Sequence, residues 1–350
     1  MRPPPLRSCR RGGKEGRHFG KAIAMDRRSL PHTDLTVSRL CFGTMTFGKP
    51  VDQPTADRMV ARCLDEGIDF FDTANAYQLG GSEEILGRAL GARRKDVVLA
   101  TKVQHKMGEG ADQQGLSRAA ILRQIDESLT RLGTDYVDLY YLHQPDSAVP
   151  IEESLAAMDA LVKTGKVRYV ATSNYAAWQV CEMFWLSEKN GWRPPAVSQP
   201  MYSLIARGIE QEYLPMAKRL GVSSFVYNPL AGGLLTGKHD PNAVTAGGRF
   251  DTAFWGKSLY ADRYWHPRTF EAVERLKAIA AEAGRSLVSL AFAWVLHHTA
   301  ADGLILGASR PDQLDQNLMA CREGPLSPET VAACDAVWEA FRGPVPVYNR

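Results

Sequence analysis

Four polar side chains directly follow apolar runs in this chain: Asp72 after Phe70-Phe71, Lys102 after Val98-Leu99-Ala100-Thr101, His143 after Leu139-Tyr140-Tyr141-Leu142, and Asn174 after Ala171-Thr172-Ser173. Tyr77 lies five residues beyond Asp72. A phenol, with an ordinary pKa of about 10, is a poor acid at neutral pH unless a nearby cation stabilises its phenolate. Lys102, held by Asp72, could supply that cation. His143 adds a group able to orient a carbonyl oxygen or to join in proton transfer. A lone Asp or Lys at such a position usually caps a strand in solvent, so the chemistry depends on elements that bring all of these groups to one place.

From Leu40 onward, short β-branched or aromatic runs alternate with longer amphipathic stretches, the pattern of an α/β fold. The predicted strands are Leu40–Met45, Asp69–Ala74, Val97–Lys102, Val137–His143, Val167–Ser173, Ala196–Pro200, Ser223–Pro229 and Gly303–Ser309. Helical patterns cover Thr55–Glu66, Ser82–Leu90, Arg118–Leu132, Ile151–Lys163, Ile209–Leu220 and Asp312–Ala320, several closed by glycine. Eight such units predict a (β/α)8 TIM barrel with a long loop, Gly237–Arg268, after strand 7 and C-terminal helices after Leu318. A doubly wound sheet would more often carry a Gly-x-Gly-x-x-Gly turn, which is missing here. The run Gly43–Lys49 has the glycine spacing of a phosphate loop, but Pro50 replaces the required Ser or Thr, so it reads as a loop at the barrel mouth. Barrel chemistry comes from the C-terminal strand ends. Here these are Thr44 and Met45, Asp72, Lys102, His143, Ser173 and Asn174, Gln199, Tyr227 and Asn228, and Ser309 and Arg310. Asp72 and Lys102 end adjacent strands, which makes an ion pair there natural.

The 350 residues are 45% hydrophobic and 23% charged, a globular composition with no apolar run long enough to span a membrane. Residues 1–24 hold seven Lys and Arg against Glu15 alone, so the overall charge of +3 comes from that segment and the rest is net acidic. No broad basic surface for nucleic acid is expected. Pro3-Pro4-Pro5 and Gly12-Gly13 oppose an amphipathic transit helix, and we read 1–24 as a disordered basic leader or a start-site artefact, with 25–350 as a single domain. The six cysteines form no Cys-x-x-Cys pair and the eight histidines no His-x-x-x-His pair, which suggests reduced thiols, a cytoplasmic protein and no metal site.

The ordered motifs Phe71–Tyr77, Gly81–Glu84, Ala100-Thr101-Lys102, Leu142-His143, Ser173-Asn174, Gln199, Pro229–Lys238 and Gly307-Ala308-Ser309 resemble those of the aldo-keto reductase superfamily. The resemblance runs from Met25 to about Asn317, and Gly237-Lys238 and Gly307-Ala308-Ser309 look most like the bacterial and potassium-channel β-subunit-like branches. It implies an NADPH-dependent reductase of small aldehydes or ketones, with Tyr77 as general acid, Lys102 and Asp72 tuning it, and His143 ordering the carbonyl. By the same resemblance Ser173, Asn174 and Gln199 hold the nicotinamide carboxamide and Tyr227 stacks on the ring. Asn228, Pro229, Leu230 and Gly232 line the pyrophosphate, with Lys238 and Arg249 reaching over it. Gly307, Ser309, Gln313 and Asn317 take the adenosine end, and Thr44 and Asp72 complete the cofactor-facing set.

Gln313 stands where one branch has an Arg for the 2′-phosphate, which leaves NADH open as an alternative to NADPH. Arg310 could supply that charge or simply be an exposed residue at a helix start. Met45, Tyr77, His143 and Trp178 are expected at the substrate pocket, with Phe47, Tyr202, Trp255, Tyr260 and Trp265 as further pocket or lid candidates; since most aromatics are core, about half of Met45, Trp178 and these five are expected to touch no ligand. Two rival functions use the same scaffold. A Schiff-base aldolase would need Lys102 neutral, which Asp72 opposes. An NADP-binding redox-sensing subunit with slow turnover would keep the whole constellation. Substrate identity and oligomeric state are not legible.

Overall fold

The computed structural model describes residues 25–243, 248–251 and 256–344; the leader at 1–24 and the pocket candidate Trp255 lie outside the described residues. A short antiparallel hairpin, β1 (Arg27–Ser29) and β2 (Thr36–Ser38), comes first. The eight strands that follow are β3 (Leu40–Gly43), β4 (Phe70–Asp72), β5 (Val98–Val103), β6 (Val137–Leu142), β7 (Val167–Ser173), β8 (Val197–Gln199), β9 (Ser223–Val226) and β10 (Gly303–Gly307). They pair in parallel, in chain order, and β10 closes the barrel against β3. Helices α1 (Gln53–Asp65), α2 (Gly81–Leu90), α3 (Arg118–Leu132), α4 (Ile151–Lys163), α5 (Ala177–Asn190) and α6 (Tyr213–Leu220) follow β3 to β8 in turn. Between β9 and β10 lie α7 (Lys257–Tyr264), α8 (Pro267–Glu282) and α9 (Leu287–His298), and α10 (Pro311–Cys321) and α11 (Pro328–Arg342) end the fold. The predicted TIM barrel is the observed architecture.

The two-residue period of each strand sorts its side chains into two cores. Cys41, Phe70, Val98, Ala100, Leu139, Tyr141, Tyr169, Ala171, Val197 and Phe225 belong to one buried cluster inside the barrel. Their neighbours Phe42, Phe71, Leu99, Tyr140, Leu142 and Val170 pack outward into the helix layer. Extending the inward alternation by one step reaches Asp72, Lys102, His143, Ser173 and Gln199. Local strand geometry therefore aims these groups into one mouth. At the opposite end Leu30, Leu35 and Val37 of the hairpin join the inner cluster and plug the barrel. Asp69 ties the plug to β4 by accepting from the Ser38 amide at 2.9 Å and from Arg27 at 2.5 Å.

The differences from the sequence reading have local causes. The helix predicted over Ile209–Leu220 begins only at Tyr213, because Pro215 lacks an amide hydrogen and fits only a first turn. Gly208–Glu210 form a separate 3-10 turn before it. The long segment after β9 holds α7, whose eight residues carry too few apolar positions to declare themselves. The five described cysteines are free. Among the described residues no single helix is long and apolar enough to cross a membrane.

Phe70 and Phe225 meet edge to face inside the barrel, 5.0 Å between ring centres, and neither is accessible to solvent. Phe70→Ala is expected to destabilise the fold by about 3–5 kcal/mol through the cavity it leaves. Urea unfolding measures this, and a loss below about 1 kcal/mol would mean that the inner core repacks freely.

Candidate active site

Asp72 ends β4, and the register opposite Ala100 of β5 sets it beside Lys102. The side chains of both are almost wholly buried, at 4% and 2% exposure. An ammonium group has three donors, and each finds an acceptor: Lys102 Nζ donates to Asp72 Oδ2 at 2.5 Å, to the Thr73 carbonyl at 2.6 Å and to the Tyr77 hydroxyl at 3.5 Å. The other carboxylate oxygen of Asp72 accepts from Gln199 Nε2 at 2.7 Å. His143 stands with its ring edge to face on Tyr77, 5.9 Å between centres. The four groups expected to do chemistry are thus gathered at one end of the barrel.

Their electrostatics follow from burial and from each other. Burial would pull the Lys102 pKa down, but Asp72 and Tyr77 outweigh it and hold the amine above its ordinary value. The Schiff-base rival needs the opposite shift. Burial raises the Tyr77 pKa, and Lys102 only partly offsets it. The net lowering expected from the cation is therefore not reached, because desolvation of the phenolate is the larger effect. Burial, with Lys102 and His105 nearby, depresses His143 well below the ordinary histidine range. Its Nδ1 is buried without a partner.

Tyr77 sits on an irregular bridge between β4 and α2. Gln78 and Leu79 both have a φ of 51° and Gly80 has 94°, so three successive residues occupy left-handed backbone. Leu79 is left 75% exposed. Such a segment persists only when its surroundings hold it. Ser82 donates to the Thr44 carbonyl at 2.7 Å and meets the hydroxyls of Thr44 and Thr73 at 3.0 and 2.9 Å. Glu83, wholly buried, accepts from Thr101 at 2.5 Å and from Arg131 Nε at 2.7 Å. A Cβ on Gly80 would come within 2.5 Å of Arg131 Cδ, so the guanidinium arm packs directly beneath the bridge. Sequence reasoning noted Glu83 within a motif but gave it no role, since acidic residues in a first helical turn are normally solvated.

The groups expected around a cofactor are distributed as follows. Ser173 donates to the Gln199 carbonyl at 3.0 Å, and Asn174 donates to the His143 carbonyl at 2.9 Å while accepting from the Tyr227 hydroxyl at 2.6 Å. These bonds link the ends of β6 to β9 into one polar rim. Asn228 continues it with a φ of 57°, and Gly232 has a φ of 69° with room for a Cβ denied by Tyr260, 2.7 Å away. Pro229 and Leu230 lie between them on the same turn. Arg249 reaches back across it to Asn228 Oδ1 at 2.9 Å and to the Tyr260 hydroxyl. Lys238 is exposed. At the end of β10, Gln313 turns inward and accepts from the amide and hydroxyl of Ser309, and Asn317 donates to the Gly307 carbonyl at 3.1 Å. Arg310 points outward and pairs with Asp312 at 3.0 Å. Thr44 is buried and bonds the Asp72 carbonyl.

The pocket candidates divide. Met45 is half-buried at the mouth, whereas Trp178 is 66% exposed on the first turn of α5. Phe47 and Tyr202 are core: Phe47 packs on Phe42, and Tyr202 packs on Trp294 and bonds Glu210. Trp265 packs with Phe250 and His239 in the segment after β9. His105, absent from the sequence reading, packs edge to face on His143 at 4.6 Å. A histidine two residues past a strand end gives no pattern by which to find it.

The aldo/keto reductase family model matches residues 39–339, and the chain belongs to that family of oxidoreductases. It is 37% identical to a mouse protein named aflatoxin B1 aldehyde reductase member 2, over 99% of this chain and 96% of the relative. It is 37% identical to a rice protein named as a probable voltage-gated potassium channel subunit beta, over 89% and 96%. It is also 36% identical to an uncharacterised Bacillus subtilis oxidoreductase, YrpG, over 85% and 91%.

Two substitutions probe this arrangement. Glu83→Gln keeps the shape but strips Arg131 of its charge partner, so a loss on the order of 3 kcal/mol is expected in urea unfolding. A change within about 0.5 kcal/mol would show that the pair does not hold the bridge. His143 binds its proton less tightly when folded than when unfolded, so it subtracts stability as pH falls below the ordinary value of 6.5. His143→Asn should therefore flatten the decline in melting temperature between about pH 7 and pH 5. An unaltered slope would mean that the imidazole is as well solvated as in the unfolded chain.

Proposed function

We propose that this protein reduces aldehydes or ketones to alcohols with NADPH as electron donor and Tyr77 as proton donor. The observation that carries the reading is the saturated Lys102 ammonium, with Asp72 and Thr73 fixing it and its remaining proton directed at the Tyr77 hydroxyl. Relatives named as aldehyde reductases support a carbonyl substrate.

The donor set also fits a nicotinamide dinucleotide. Asn228 Nδ2 is a buried donor without a protein partner on a turn crossed by Arg249, a donor and a cation that together suit a polar anionic ligand. Ser173, Asn174 and Gln199 would hold the carboxamide, Tyr227 the ring, Asn228 to Gly232 with Arg249 and Lys238 the pyrophosphate, and Gly307, Ser309, Gln313 and Asn317 the adenosine end. Arg310 is free to exchange an exposed Asp312 carboxylate for a 2′-phosphate, because such surface pairs are weak. When bound, the cofactor supplies a hydride to the carbonyl carbon.

The chain's own groups manage the oxygen. His143, neutral through the physiological range, can donate a hydrogen bond to the carbonyl oxygen without competing to protonate it. Tyr77 keeps its proton until negative charge develops on that oxygen, then gives it up, and Lys102 stabilises the phenolate left behind. Asp72 keeps Lys102 charged for that task. This intact proton path favours turnover over a purely regulatory role, which the channel-subunit relatives would otherwise suggest.

Following nicotinamide absorbance with NADPH or NADH and a panel of aldehydes and ketones tests the proposal. Tyr77→Phe should lower turnover by about 10²- to 10⁴-fold while leaving nucleotide binding intact. Full activity in that variant would remove Tyr77 from the mechanism, and failure to bind either nucleotide would sink the assignment.

A further inference from the structure

The imidazole of His143 is oriented without a hydrogen bond to its inner nitrogen. A histidine at a working site usually has its ring orientation and tautomer fixed by a bond to the nitrogen that faces away from the substrate. The main chain of His143 is secured on both sides, its amide donating to the Val103 carbonyl at 3.0 Å and its carbonyl accepting from Asn174 at 2.9 Å. The ring is not. Nδ1 is buried without a partner among the described residues, which leaves Nε2 as the nitrogen able to meet a carbonyl oxygen. Because the second side-chain torsion of histidine has broad wells, packing alone must set where Nε2 points.

Two rings do that packing. Tyr77 meets His143 edge to face with 5.9 Å between centres and 79° between planes, and His105 meets it edge to face at 4.6 Å and 80°. The nearer ring is the one that the proton chemistry does not use. The chain leaves β5 and reaches His105 through Gln104, whose φ of 151° is rare for a residue with a side chain. The Gly115 amide secures that backbone by donating to the Gln104 carbonyl at 2.7 Å, so the turn that delivers His105 is itself braced. Burial, and Lys102 after it, hold both histidines below their ordinary pKa. The contact is therefore one between two neutral rings, which attract in this geometry.

We infer that His105 is a positioning residue whose ring blocks rotation of His143 and keeps Nε2 aimed at the carbonyl oxygen beside the Tyr77 hydroxyl. The inference rests on the reductase reading and deepens it. His105 moves no proton in this role; it supplies shape, so another flat ring of similar size should serve in its place.

The test follows NADPH oxidation with an aldehyde that the unaltered protein reduces. His105→Ala is expected to lower kcat about tenfold with NADPH affinity unchanged, because a misdirected hydrogen-bonding group loses catalysis rather than cofactor binding. His105→Phe restores a ring without nitrogens and should return kcat to within about twofold of the unaltered protein. In a His143→Asn background there is no imidazole to orient, and adding His105→Ala should cost less than about a further twofold. Full activity in His105→Ala, a His105→Phe variant as slow as His105→Ala, or a tenfold loss that persists beside His143→Asn would each overturn the inference while leaving the reductase reading intact. Failure of the unaltered protein to oxidise NADPH with any aldehyde or ketone would overturn both.

Discussion

Everything at the barrel mouth depends on keeping a lysine charged where water scarcely reaches. Removing an ammonium from water costs several kcal/mol unless its charge and each of its protons are answered. Here Asp72 answers the charge, and Asp72, Thr73 and Tyr77 take the protons. Gln199 occupies the second carboxylate oxygen, so the acid is anchored from the opposite side of the barrel. The pair adds little net stability over an apolar replacement, since desolvation offsets most of the attraction. What it gives is a cation at a fixed place beside a phenol.

That placement reaches outward through the alternation of β5. Lys102 points in, and its neighbour Thr101 points out to Glu83, which in turn holds Arg131 under the left-handed bridge carrying Tyr77. Amine and phenol are thus located by one strand, through adjacent residues facing opposite ways. The bridge departs from ordinary backbone at Gln78 and Leu79, and the buried hydrogen bonds of Ser82 and Glu83 offset the strain. A rigid scaffold with irregular turns at its C-terminal rim is what lets a symmetric barrel hold an asymmetric site.

The sequence makes Asp72, Lys102, His143, Ser173 and Gln199 legible for a physical reason: each ends a strand whose inward positions are otherwise apolar, so a polar residue there is conspicuous. The closed barrel is legible through the repeated spacing of eight such strands. Glu83 is hidden because nothing local distinguishes a buried carboxylate from a solvated one; its partner Arg131 is remote in sequence. The positive φ of Gln104 is hidden too, since glycine is the usual signal for such backbone. Phe47 and Tyr202 were expected to be as able to reach a ligand as to fill a core, and only tertiary packing separates the two. The net rise of the Tyr77 pKa depends on burial, which residue types alone cannot rank against the pull of Lys102.

The most direct test of the Asp72–Lys102 pair is the pH dependence of turnover in Asp72→Asn, followed through nicotinamide absorbance beside the unaltered protein. With the carboxylate gone, burial is left to pull the Lys102 pKa down, so turnover should fall at neutral pH and recover partly as the solution is made more acidic. Turnover that matches the unaltered protein across the whole pH range would contradict a role for the pair in charging the site.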